Sequence, residues 1–134
     1  MGANDSRALR YALAEVLPDA VSMTVHMCWH QGQGHHYPVE VMEAAARLRQ
    51  RHAGTGSVGC DDDYTSLTFT PTLEDRADFV EVAPFCDFAY ALDSREDLLA
   101  EVSGEGITAH VQLTPDQHTQ LCQQYPQVRT WRPR

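Results

Sequence analysis

The sequence predicts a single α+β domain, because two kinds of periodicity occur along the chain. Apolar and polar residues alternate strictly over 21–30, which is typical of a half-buried strand. Between Pro38 and Gly54 an apolar stripe recurs at helical spacing, with acids near its start and arginines near its end. At 134 residues with 43% apolar content, we expect one globular domain over residues 1–134.

The chain begins with a predicted helix, which Asp5 or Ser6 caps and Pro18 ends. Its apolar side carries Ala8, Leu9, Ala12, Leu13, Val16 and Leu17. The predicted strand 21–30 follows, and successive side chains of a strand point to opposite faces. One side carries Val21, Met23, Val25, Met27 and Trp29, and the other carries Ser22, Thr24, His26, Cys28 and His30. We expect the apolar side to face the core.

The middle of the chain is predicted to be a helix, a loop and two strands. The helix opens at Pro38, and its buried stripe is Val41, Met42, Ala45 and Leu48. Residues 53–63 are expected to form a loop, and 64–70 alternates as a strand. Residues 73–77 suit a short helical turn, whereas 79–83 and 85–92 suit a strand that is interrupted at Pro84.

The last third is predicted to be a helix, a strand and a helix. Asp93 and Glu96 form a capping-box pattern ahead of apolar residues at 98, 99 and 102, which predicts a helix there. Residues 107–113 alternate as a strand with His110 on its polar side, and Thr114 opens the final helix. After the first helix the order is therefore β-α-β-β-α-β, the split β-α-β or ferredoxin-like order. We predict a ferredoxin-like sandwich with an extra N-terminal and an extra C-terminal helix. Its first strand would lie between the third (79–92) and the fourth (107–113).

Charge is distributed unevenly along this acidic chain. The formal net charge is −9, and residues 61–105 hold 13 of the 19 acidic residues but only two arginines. Such a field repels phosphate backbones, so we expect no direct nucleic-acid binding, and no segment is apolar enough for a membrane. The same field steers a basic surface towards the protein. We therefore expect a small acidic module that docks a basic protein partner, as an inhibitor or immunity-type protein would. The candidate docking residues are Asp61, Asp62, Asp63, Glu74, Asp75, Asp78, Glu81, Glu96, Asp97 and Glu101.

The polar side of the first strand gives a second hypothesis, a metal site. The candidate ligands are His26, Cys28, His30, His110 and Asp87. Nitrogen, sulfur and carboxylate ligands in a tetrahedral array suit zinc, and a zinc-bound water would serve a small hydrolase or lyase. The same residue types also suit an ordinary polar sheet face.

A third hypothesis is a homodimeric regulatory domain that binds a small ligand, as some ferredoxin-like sheets do. No cofactor-binding motif is present, so we expect no organic cofactor. The four cysteines form no C-x-x-C pair, and the N-terminal residues lack the apolar region of a signal peptide. Both observations favour a cytoplasmic protein with reduced cysteines.

Overall fold

The computed structural model describes residues 3–28, 37–52, 59–60, 64–104 and 108–130, which form an α+β structure. The helices in these ranges are α1 (Ala3–Val16), α2 (Val39–His52), α3 (Leu73–Val82) and α4 (Pro115–Gln124). The strands are β1 (Ser22–Cys28), β2 (Gly59–Cys60), β3 (Tyr64–Phe69), β4 (Phe88–Leu92), β5 (Leu98–Ser103) and β6 (Thr108–Val111). Single 3₁₀ turns follow α1, α3 and α4.

The strands form one sheet in the order β2-β3-β1-β4-β5-β6, with every neighbouring pair antiparallel. Because β1 and β2 are both antiparallel to β3, they run parallel to each other, and α2 connects them. In the same way β3 and β4 run parallel on either side of β1, and α3 connects them. The central position of β1 agrees with the prediction, and so does its pairing with β4, which lies within the predicted strand 79–92. Its other neighbour is β3 rather than a strand at 107–113.

One face of the sheet packs on the helices and forms the core. Met23, Val25 and Met27 are almost completely buried there, together with apolar side chains of α1, α2 and α3. The predicted alternation of β1 is therefore confirmed for these residues. The predicted burial of Val21 is wrong, because this residue precedes the strand and is 45% exposed. Trp29 lies outside the described residues.

The opposite face of the sheet is here called the open face; Phe88 is 40% exposed there, whereas Thr24 and Ser66 nearer its middle are buried. Paired residues on neighbouring strands point to the same side, so the register fixes its rows. One row runs through Thr68, Thr24, Tyr90, Glu101 and His110, and the next runs through Ser66, His26, Phe88, Ser103 and Thr108. The Thr24 and Thr68 hydroxyls share a hydrogen bond of 3.0 Å.

The region after β3 is helical where a strand over 79–83 was predicted. The helix α3 begins with a capping box: the Asp75 amide donates to the Thr72 hydroxyl, and the Thr72 amide donates to the Asp75 carboxylate. This box satisfies amides that the first helical turn leaves unpaired. It outweighs the strand propensity of the residues that follow, among which Phe79 and Val82 pack into the core.

The predicted helix that begins at Asp93 is wrong, because this region is a tight β-hairpin between β4 and β5. The Asp93 carboxylate does accept backbone hydrogen bonds, from Arg95 at 2.8 Å and from Asp97 at 3.0 Å, but these close a turn. Glu96 completes the turn with a φ of 64°. In the register Ala91 faces Ala100 and Leu92 faces Leu98, so Leu99 is an additional, bulged residue.

The remaining helices form close to their predicted positions, but the predicted cap of α1 is wrong, because the helix begins at Ala3 and already contains Asp5 and Ser6. The predicted apolar side of α1 is buried throughout. In α2 the predicted burial of Met42 is wrong, because this side chain is 44% exposed. Ala44 is buried in the core instead. The box between Thr114 and Gln117 opens α4. No helix in the described ranges is long and apolar enough to cross a membrane.

Candidate functional site

Two of the predicted docking acids lie between α2 and α3 instead of on the surface. Asp75 is 0% and Asp78 is 5% exposed. Arg51 Nε donates to Asp75 Oδ1 at 2.7 Å, and Arg51 Nη2 donates to Asp78 Oδ2. Arg47 donates to Asp78 Oδ1 from Nη2 at 2.8 Å and from Nε at 3.1 Å. His52 Nε2 lies 2.9 Å from Asp75 Oδ1.

This network favours the charged form of the buried Asp75 carboxylate. Burial alone would raise the pKa of Asp75, but hydrogen bonds from the Thr72 amide, His52 and Arg51 outweigh it and hold that pKa below its ordinary value. Asp75 and Asp78 thus form ion pairs within the protein, with arginines of α2. Their assignment to a docking surface is wrong, because a carboxylate that is already buried and paired cannot meet a partner.

The other predicted docking acids do not form one surface. Glu74 is exposed on α3, and Glu81 lies 3.6 Å from Arg10. Glu96 and Asp97 are exposed in the β4–β5 turn, and Glu101 lies on the open face. Asp61, Asp62 and Asp63 lie outside the described residues. Of the predicted docking acids in the described ranges, those near the open face therefore belong to the β4–β5 hairpin.

The predicted metal ligands are only partly brought together. His26 Nε2 lies 3.9 Å from Asp87 Oδ2, so the structure joins this pair. His110 shares the open face but lies on β6, three strands away from His26 on β1. At about 4.8 Å per strand the two are separated by about 14 Å, which is too far for one ion.

The combination of His26 and His110 in a single ligand set is therefore wrong. It fails because a helix was predicted at 93–103, where the chain instead forms the turn and second strand of a hairpin. Both strands of that hairpin, β4 and β5, lie between the two histidine-bearing strands. Cys28 is the last residue of β1, and His30 lies outside the described residues. No group of three or more histidine, cysteine or acidic side chains in the described ranges is arranged to hold a metal ion.

Cysteine chemistry is also limited where side chains are described. Cys86 and Cys122 are free and buried, as predicted. Burial raises the pKa of the Cys86 thiol far above its ordinary value, and its S–H donates to the Val82 carbonyl at 3.3 Å. Cys86 is consequently a packing residue rather than a nucleophile.

The feature that the sequence analysis missed is a group of aromatic rings on the open face. The Phe88 ring stacks on His26 with a centroid separation of 4.9 Å and an interplanar angle of 1°. Tyr90, two residues along the same strand, lies 6.4 Å from Phe88 and is inclined by 15°. The alternation of Phe88 and Tyr90 with Ala89 and Ala91 could have identified them, because it places both rings on one side of β4.

Carboxylates lie beside these rings. Glu101 faces Tyr90 on one side and His110 on the other, and Asp87 Oδ2 lies 3.9 Å from His26 Nε2. We call His26, Phe88, Tyr90, Glu101 and His110 the open-face patch. Among the described strand residues that point to this face there is no arginine. The patch thus combines an exposed apolar ring with negative charge.

Comparisons with known proteins found no relative of this chain. A scan against protein-family models, a search of curated proteins and a search of solved structures each found no match to the chain.

Proposed function

We propose that this chain is an acidic binding module that docks a basic protein partner on the open face of its sheet. The observation that carries the proposal is the open-face patch, in which Phe88 is 40% exposed and Glu101 faces the neighbouring Tyr90 across the strands. Stable interfaces combine aromatic anchors with complementary charge at their edges. The patch supplies both features on a rigid sheet.

The charge of the neighbouring hairpin supports a basic partner. Between Phe88 and Ser103 the chain carries Asp93, Glu96, Asp97 and Glu101, against a single base, Arg95. Two of the three arginines of α2, Arg47 and Arg51, could offset this field but are instead paired with Asp75 and Asp78. The net charge of −9 remains unbalanced and accelerates encounter with a positive surface. A protein that handles nucleic acid would present such a surface, which is the inhibitor or immunity-type role expected from the sequence.

The proposed fold is consistent with this role. We infer a ferredoxin-like core made of β1-α2-β2-β3-α3-β4, because the strand order β2-β3-β1-β4 and both crossovers match that topology. The hairpin partner β5, the edge strand β6 and the helices α1 and α4 are then additions to this core. The added strands widen the open face beyond β4 and bring Glu101 beside the aromatic rings.

The test is binding of a fluorescein-labelled Lys-Gly repeat peptide, measured by anisotropy at low and physiological salt. We expect Glu101→Gln to weaken binding by about two- to fivefold, the cost of a partly exposed ion pair. Glu74→Gln is the matched control, because it removes the same charge from an exposed site on α3. Binding should weaken as the screening length shortens from about 30 Å at 0.01 M to about 8 Å at 0.15 M salt. No binding at low salt, or equal effects of the two substitutions, would contradict the proposal.

A further inference from the structure

The geometry points to an arginine-specific site: a guanidinium group of the partner lies flat on the rings of Phe88 and Tyr90 and pairs with the Glu101 carboxylate. This inference rests on the proposed function and names the side chain that the open-face patch selects. A surface attracting positive charge alone would accept lysine and arginine equally.

The ring geometry favours a planar cation. His26, Phe88 and Tyr90 are nearly parallel, with interplanar angles of 1° and 15° between successive rings. The stack on His26 holds the Phe88 ring in one orientation before any ligand arrives. A guanidinium is planar and weakly hydrated, so it stacks on an aromatic face, whereas an ammonium is compact and strongly hydrated.

The carboxylate geometry favours the same group. Glu101 is the direct cross-strand partner of Tyr90 and the diagonal neighbour of Phe88. Such positions place Cβ atoms about 5 Å and about 7–8 Å apart, within reach of one arginine head group. A carboxylate accepts two parallel hydrogen bonds from a guanidinium, a geometry that lysine cannot provide.

The charge of the surface distinguishes arginine from a nucleobase, which would also stack on exposed rings. A base arrives with its phosphate, and the hairpin acids around the patch repel phosphate. No arginine or lysine from the described strands lies on the open face to hold a phosphate. A second copy of the chain would meet the same repulsion, because it presents the same negative patch.

The test compares two labelled peptides of equal length and charge, one of Arg-Gly repeats and one of Lys-Gly repeats, in anisotropy titrations at low salt. We expect the arginine peptide to bind about two- to fivefold more tightly, the range of an exposed cation–π contact. Phe88→Leu should abolish this preference, because leucine keeps the apolar contact but has no ring. Phe88→Tyr should retain it.

Tyr125→Leu is the matched control, because this ring lies at the end of α4 beside Tyr11 and away from the open face. Thermal unfolding of each variant verifies that the fold is intact. Equal affinity for the two peptides, or a preference that survives Phe88→Leu, would overturn the arginine site. The docking proposal would still stand if Glu101→Gln weakened both peptides. Failure of both peptides to bind would overturn docking as well, and tight binding of a single-stranded RNA oligonucleotide would replace arginine with a nucleobase.

Discussion

Substituting Asp75 tests the conclusion that this acid belongs to the interior. Its carboxylate is 0% exposed and is approached by Arg51 Nε at 2.7 Å, the Thr72 amide at 2.9 Å and His52 Nε2 at 2.9 Å. In Asp75→Asn the remaining oxygen can satisfy only part of this set, and the new amide turns a donor towards other donors. Leaving one partner of a buried pair unmatched costs about 3–5 kcal/mol.

Two features of the structure place the expected loss near the lower end of that range. Arg51 keeps its hydrogen bond to Asp78, and its side chain is 30% exposed, so solvent partly compensates it. We therefore expect Asp75→Asn to lower the free energy of unfolding by about 3 kcal/mol. For a domain of this size the midpoint of thermal unfolding should fall by roughly 10 °C.

The assay is urea unfolding followed by circular dichroism at neutral pH. Glu74→Gln is the matched control, because Glu74 is the preceding residue in the first turn of α3 and is exposed. Both substitutions remove a negative charge from the same helix N-terminus, so their difference isolates the buried contacts. If Asp75→Asn and Glu74→Gln changed stability equally, the buried network would not stabilise the fold as described.

Three further predictions concern other described residues. The pKa of Asp75 is depressed in the folded protein. Its contribution to the free energy of unfolding is therefore fully present above its pKa in the unfolded chain, about 4, and is lost as the pH falls through its pKa in the folded protein. Urea titrations on the acid side should therefore show wild-type stability falling more steeply than that of Asp75→Asn, and parallel curves would contradict this. At mildly alkaline pH, iodoacetamide should leave Cys86 unmodified until urea unfolds the protein, as peptide mass mapping would detect, because burial raises its thiol pKa. Equal labelling of folded and unfolded protein would refute its burial. Glu96 has a φ of 64°, so Glu96→Gly should stabilise the hairpin by about 0.5 kcal/mol. Asp97→Gly should give no such gain, and a lower unfolding midpoint for Glu96→Gly would be the contrary result.

Local sequence patterns were sufficient to predict the elements in which one periodicity dominates. The alternation in β1 and the apolar side of α1 each predict which apolar side chains reach the core, although Thr24 on the other side of β1 is buried as well. The capping box at Thr114 likewise locates the start of α4. The pattern that predicts each of these elements lies within the element's own sequence.

The hairpin β4–β5 could not be predicted in the same way. Asp93 followed by Glu96 has the spacing of a capping box, yet the Asp93 carboxylate closes a turn instead. The bulge at Leu99 places two leucines in succession and hides the alternation of β5. A bulge of this kind depends on pairing with β4, which a local pattern does not contain.

The error in the hairpin determined the error in the site. With a helix at 93–103, His110 would occupy a strand beside β1, close to His26. Because 93–103 instead forms a turn and the strand β5, His110 is displaced to the sheet edge and Glu101 lies beside Tyr90. The burial of Asp75 was also not apparent from the sequence, because its partners Arg51 and His52 come from a different helix.

The most direct test of docking on the open face is a chemical-shift map of the amides during titration with the Arg-Gly peptide at low salt. We predict that the largest changes occur on β4 and β5, around Phe88, Tyr90 and Glu101, while amides of α2 and α3 remain unchanged. Changes confined to the helices, or spread evenly over all exposed acids, would contradict the account.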